Sequence, residues 1–384
     1  MTLTNSSAPE VLEIGKLHQA LASPGPCITL VLPPYHPGEG AESGAAFLKA
    51  SLQSVTQQFV ERRVPKTMGI DLLAPLERLT DDAAWSTGSH LGCAILRSPE
   101  AFCQFRLTQP VRPSLTVAGC FAIRPLLGEF SAPPVFYILS LSKEAVGLFR
   151  CWESQAEAIE LPARTPMTLR EALDFDAPDH DLENRSTSGP TAGGHRIRFG
   201  TGSGRETAHI HLADFYKIVD HGIHELLHES GSPLVLAGVD EDVTAYRALN
   251  TYQRLAKESL HGGSKLWLQA AETVVYARSL LSAEERQRQA DALKEAAERV
   301  APNRCLTDPH AIVSAAFDGR VRQLYVNETA NISDVFERRT YRTWGKEDLL
   351  NLAAVKTLLH RGDAFELPGP MLPAGEAAVA LLRY

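Results

Sequence analysis

The chain has 384 residues, 44% of them hydrophobic and 22% charged, and a formal net charge of −8 at pH 7. It is too long for one compact core and apolar enough to bury more than one, so two or three domains are expected. The acidic balance argues against a surface coated in positive charge for tight non-specific nucleic-acid binding, and no DNA partner is expected.

In chain order, the apolar run Cys27–Leu32 predicts a strand stopped by Pro33 and Pro34. Phe47, Leu48, Leu52, Val55 and Phe59 recur at helical spacing and predict a helix over 45–62. A second helix is expected over 70–79, then strands over 90–96, 102–106 and 117–123. Ser131–Pro134 reads as a linker. Val135–Leu141 and Ala145–Cys151 then predict a hairpin, with a short third strand over 158–161 and a helix over 167–173. Roughly 176–207 shows no periodicity, and a segment of that length inside a compact domain is usually functional or disordered. An amphipathic helix over 210–228 follows, then the buried strand Leu234–Val239 and a helix begun at Asp240. The charged stretch 282–300 reads as a helix with a solvated face. Asp308 and Pro309 supply a cap and a first-turn proline for a helix ended by Gly319. A strand over 321–326, a helix over 347–359 and strands over 364–367 and 379–382 complete the pattern. We expect an α/β protein of three modules: 1–130, then 131–275 with a mixed sheet and a long Gly-rich loop, then 276–384 as an α/β sandwich.

The first residues lack a basic segment followed by an apolar one, so no secretory signal is expected, and no apolar run is long enough for a membrane span. Cys27, Cys93, Cys103, Cys120, Cys151 and Cys305 form no CxxC pair. They read as free thiols in a reducing cytoplasm rather than as a disulfide or zinc framework.

The strings CITLVLPP, FYILSLSKEAVGLFR and LVLAGVD, a Gly-Gly loop before a long helix, and the terminal LLRY together resemble the class-one release factors of eukaryotes and archaea. The last module, from DPHAIVSAAFDGRVRQLYV to GDAFELPG, is similar to the RNA-binding ribosomal-protein-type domain that those factors share with Pelota. The chain most resembles the bacterial proteins of archaeo-eukaryotic release-factor type. The resemblance implies a ribosome or tRNA partner and a Gly-Gly-Gln tip that helps water attack the peptidyl-tRNA ester. Gly193 and Gly194 match that tip, and His195 stands where the family has glutamine. If the chain is an enzyme, the resemblance makes peptidyl-tRNA hydrolysis its reaction and Gly193, Gly194 and His195 its catalytic residues. The Asn-Ile-Lys-Ser string used at stop codons has no counterpart here, so rescue or quality control is expected rather than ordinary termination.

Two other features bear on chemistry. Between Arg185 and Arg205 the chain carries Arg185, Arg196, Arg198 and Arg205 and no acidic residue, a composition suited to RNA phosphates. His224-Glu225-Leu226-Leu227-His228 is a literal HExxH, the zincin pattern of two ligands and a base on one helix face. The predicted buried stripe, Leu212, Phe215, Val219, Ile223 and Leu226, sets both histidines on the opposite face, and no metal or other cofactor is expected. His209, His211 and His221 read as polar helix positions, and the acidic run from Asp174 to Glu183 lacks the spacing of a calcium loop. Three functions therefore stand open: a ribosome- or tRNA-associated factor, a non-catalytic adaptor of the same fold, and a zinc hydrolase using His224, Glu225 and His228.

Overall fold

The computed structural model describes residues 10–11, 20–21, 25–33, 41–81, 91–109, 111–130, 133–152, 154–175, 202–262, 271–299, 304–338 and 341–384. They form a mixed α/β protein of two compact units, one made of Met1–Ala132 with Ser282–Tyr384 and the other of Pro133–Leu281.

The first part of the first unit contains β1 (Glu10–Val11), β2 (Cys27–Leu32), α1 (Ala41–Glu61), α2 (Lys66–Asp81), β3 (Cys93–Arg97), β4 (Phe102–Arg106) and β5 (Ser114–Ala118). The sheet order is β1-β4-β3-β2-β5, with β2 antiparallel to both neighbours. Alternate residues of β2 face opposite sides. Ile28, Leu30 and Leu32 pack with Leu48, Val55 and Phe59 of α1 and Leu72 and Leu76 of α2. Cys27 and Val31 join the core on the other face. Burial on both faces explains why this strand reads as an unbroken apolar run.

The helix expected over 70–79 is longer and runs through Pro75. Proline has no N–H to give the carbonyl four residues back. Arg97 supplies the missing donor, with Nη2 2.8 Å from the Asp71 carbonyl.

The second unit contains β6 (Val135–Leu141), β7 (Gly147–Trp152), β8 (Gln155–Ile159), α3 (Leu169–Phe175), α4 (Gly202–Leu227), β9 (Leu234–Gly238), α5 (Asp240–Leu249) and β10 (Leu255–His261). A long helix, α6 (Ala271–Arg299), begins there. The mixed sheet is ordered β10-β9-β6-β7-β8, with β10, β9 and β6 parallel and β7 and β8 antiparallel. Its two faces sort by residue parity. Leu139, Leu141, Leu234 and Leu236 pack with α4, while Phe136, Ile138, Val235 and Ala237 pack with Val274, Ala277 and Leu281 of α6.

The rest of the first unit contains β11 (Cys305–Leu306), α7 (Pro309–Phe317), β12 (Val321–Asn327), β13 (Ser333–Asp334), β14 (Glu337–Arg338), β15 (Tyr341–Arg342), β16 (Glu347–Asp348), α8 (Leu349–Leu359), β17 (Asp363–Leu367) and β18 (Ala378–Leu382). Its main sheet is β11-β18-β12-β17. Ile312 and Val313 of α7 and Leu350 and Ala353 of α8 share a core with Leu324 and Val326, while Ala290 and Leu293 of α6 pack with Tyr325, Val379 and Leu381. The sheet thus has helices on both faces. Asp308 caps α7, accepting from the Ala311 N–H at 2.8 Å, and Gly319 stops it at φ 66°.

The strand expected over 117–123 ends at Ala118. Beyond it the chain leaves the sheet for a polar clamp. Gly119 N–H donates to Glu347 Oε1 (2.6 Å), Ile123 N–H donates to Asn351 Oδ1 (2.8 Å), and Asn351 Nδ2 donates to the Phe121 carbonyl (2.9 Å). Phe121 and Ile123 are buried by that path rather than by pairing.

Arg124 completes the clamp, with Nη1 2.6 Å from Asp348 Oδ2 and Nη2 3.7 Å from Glu366. Burial raises the Glu366 pKa from 4.5 to about 7, against the opposing pull of Arg124. Because the folded value is the higher one, the stability this group contributes is fully present below pH 4.5 and lost as pH rises through 7. At 21% side-chain exposure, the gap corresponds to roughly 2–3 kcal/mol. Glu366→Gln is expected to flatten the stability–pH curve across that window and to be the more stable protein at pH ~8. Urea midpoints at both ends of the window check this. An equal change at both ends would contradict it.

Candidate functional site

Gly193, Gly194, His195, Arg185, Arg196 and Arg198 lie outside the described residues, within 176–201. Arg205 lies in the first turn of α4, and its side chain is also outside the description. The described residues on either side of that segment are α3 with the strap before it and α4.

At the entry, Thr168 Oγ1 accepts from the Glu171 N–H (3.0 Å), while Glu171 Oε2 accepts from the Met167 N–H (2.7 Å). This reciprocal capping fixes the start of α3, and buried Ala172 ties the helix to the core that holds α4. The preceding strap crosses α4 closely. A Cβ on Gly222 would lie 2.2 Å from Thr165 Oγ1, so any larger residue there would force Thr165 aside.

At the exit, α4 buries Leu212, Phe215, Tyr216, Val219, Ile223 and Leu227 against the sheet. Leu227, at 1% exposure, takes the place expected for Leu226, which is 38% exposed. The step from Ile223 to the next buried position is four residues, as 3.6 residues per turn requires over a long stripe.

A buried polar lock holds α4 to α5 and the chain after it. Asp220 Oδ1 accepts from the Tyr246 hydroxyl (3.0 Å), and Oδ2 accepts from the Thr251 N–H (3.1 Å) and hydroxyl (2.6 Å). Tyr216 and Tyr246 meet edge to face at 6.0 Å. Beside them, burial pushes the Asp242 carboxyl above its usual range. These groups brace the helix that follows the Gly-Gly-His segment.

The HExxH residues do not converge. His224 and His228 stand on the exposed side of α4, with rings parallel and 6.0 Å apart. Imidazole lone pairs lie in the ring plane, so stacked rings direct them side by side rather than at one ion. The His228 ring also has Nδ1 3.1 Å from the Glu225 carbonyl. His211 and His221 are exposed as well. No group of His, Cys, Asp or Glu able to hold a metal occurs among the described residues, and none of their helices is long and apolar enough to cross a membrane.

The first unit has a cleft of ≈ 530 Å³ that pattern reading missed, lined among others by Arg62, Arg63, Tyr341, Trp344 and Lys356. Its residues come from the two ends of the chain and share no local motif. The Arg62-Arg63 pair after α1 was the one signal available.

The family comparison matches residues 135–320 to bacterial archaeo-eukaryotic release factor family 3. None of the curated proteins matches the chain. Among solved structures, the archaeal translation termination factor aRF1 is 15% identical, with 97% of each chain covered and a TM-score of 0.26. Archaeoglobus fulgidus Pelota is 10% identical, with 98% of this chain and 93% of that one covered and a TM-score of 0.38. S. cerevisiae Dom34, described as a translation termination-like factor in RNA quality control, is 10% identical over 74% and 73%, with a TM-score of 0.32.

Proposed function

We propose, from the membership of this chain in the bacterial archaeo-eukaryotic release factor family through residues 135–320, that it is a cytoplasmic factor acting on the ribosome or its tRNA. Its work is ribosome rescue or translation quality control, and its reaction is hydrolysis of peptidyl-tRNA. The observation that carries this reading is the family match itself. It spans the second unit from β6 onward and includes Gly193, Gly194 and His195.

The chemistry asked of the chain is modest. Water adds to the acyl carbon, the bond to the ribose oxygen breaks, and that oxygen leaves with a proton. Gly193 and Gly194 supply a backbone able to turn tightly beside RNA. His195 supplies a ring nitrogen that orients the water or hands a proton to the leaving oxygen. Arg185, Arg196, Arg198 and Arg205 neutralise nearby phosphates. A second reading, a non-catalytic adaptor, draws on one observation: His195 is shorter than the glutamine of the resembling tips and differently shaped.

Release of labelled peptide from stalled ribosomes separates the two. The catalytic reading expects release by the wild-type chain. No release by wild type, with release gained in His195→Gln, would establish the adaptor.

A further inference from the structure

The cleft of the first unit gathers positive charge in an otherwise acidic protein. Arg62 and Arg63 follow the end of α1, and Lys356 projects from α8. Arg62 donates to the Val117 carbonyl (2.6 Å) and lies 4.8 Å from the centre of the Trp344 ring. Lys356 Nζ stands 4.7 Å from the Phe317 ring centre and 5.2 Å from that of Tyr341. Among the described residues neither Lys356 nor the Arg63 side chain has a hydrogen bond or an ion pair. The adjoining carboxylate, Glu347, is held through Oε1 by the N–H groups of Gly119 and Trp344. Three cations thus stand against one carboxylate already engaged with backbone.

A half-buried cation ordinarily pairs with a carboxylate, because desolvating its charge is costly. Here aromatic faces and a carbonyl take the place of acids. They soften that cost without cancelling the charge. Burial still holds the Lys356 pKa below the usual lysine range, as expected for an ammonium group without a counter-ion. Guanidinium and ammonium groups lining one cleft beside aromatic rings suit an oxyanion with several acceptor oxygens.

We propose that this cleft binds a phosphate ester, with Arg63 and Lys356 contacting its oxygens and Arg62, held beside the Trp344 ring, closing the third side. The ester belongs either to a free nucleotide or to the phosphorylated end of an RNA strand. The cleft is lined by none of the residues of the Gly-Gly-His segment, and its phosphate binding stands or falls independently of peptidyl-tRNA hydrolysis.

The test is calorimetric titration of the full chain at physiological salt with inorganic phosphate, AMP and a short 5′-phosphorylated single-stranded RNA. Saturable binding of at least one is expected, and Arg63→Gln and Lys356→Gln should each weaken it about tenfold, the loss of one charge-assisted contact. Lys49→Gln, which removes an exposed cation of α1 away from the cleft, should leave it unchanged. Tighter binding of RNA than of AMP assigns the site to a strand end, and equal binding assigns it to a free nucleotide. Thermal melts confirm that each variant is folded, and the exposed Arg63 keeps the test open if Lys356→Gln is not. No saturable binding, or an equal loss in Lys49→Gln, overturns the proposal.

Discussion

Gly194→Val is expected to lower the rate of peptide release from stalled ribosomes by ~10²–10³, and His195→Ala by a similar factor. On the proposed reading, the protein contributes backbone geometry and one or two hydrogen bonds to a site supplied mostly by ribosomal RNA. Losing one preorganised polar contact in a transition state has an effect of that order. A β-branched residue at 194 is at least as harmful if the backbone there takes a positive φ, which valine tolerates poorly. Both variants are expected to melt with the wild type. That separates a lost tip from a lost fold. If wild type releases peptide and both variants match it, Gly193–His195 is not the working tip.

Asp220→Ala is expected to destabilise the protein by roughly 2–3 kcal/mol. The carboxylate is 4% exposed and accepts three hydrogen bonds. Removing it leaves the buried Tyr246 hydroxyl without its acceptor, at a cost of about 1–3 kcal/mol, while the exposed Thr251 can turn its donors to water. Asp220→Asn keeps one acceptor oxygen and should lose less. Urea denaturation followed by far-UV circular dichroism measures both. A loss below ~1 kcal/mol for the alanine variant would mean that α4 is held by its apolar stripe alone.

The elements most legible in the sequence are those whose local chemistry and tertiary role agree. β9 is apolar at every position because both its faces are covered, and α7 carries its cap, its first-turn proline and its stop glycine within twelve residues. Reading failed where distant residues decide. The apolar run after Val117 looks like a strand, yet Glu347 and Asn351, more than 220 positions away, draw it off the sheet. The helix expected from Glu347 starts at Leu349, because Glu347 and Asp348 first pair with Ser333 and Asp334, and Asp348 then caps the helix. β10 escaped notice, since LAKESLH lacks both alternation and an apolar run; only Ala256 and Leu260 are buried in it. The exposed placement of the HExxH histidines was legible from helix geometry, although the stripe that fixes it ends at Leu227 rather than Leu226. The cationic cleft was not legible, because no periodicity links Arg62 to Lys356.

Work on the ribosome is tested by co-sedimentation of the full chain with ribosomes at low and physiological salt. The wild-type protein is expected to pellet with ribosomes under both conditions. Replacing Arg185, Arg196, Arg198 and Arg205 together by glutamine should weaken binding and flatten its dependence on salt, since each phosphate contact adds to that slope. A protein that stays in the supernatant at both salts, or a four-arginine variant that pellets as the wild type does, would contradict it.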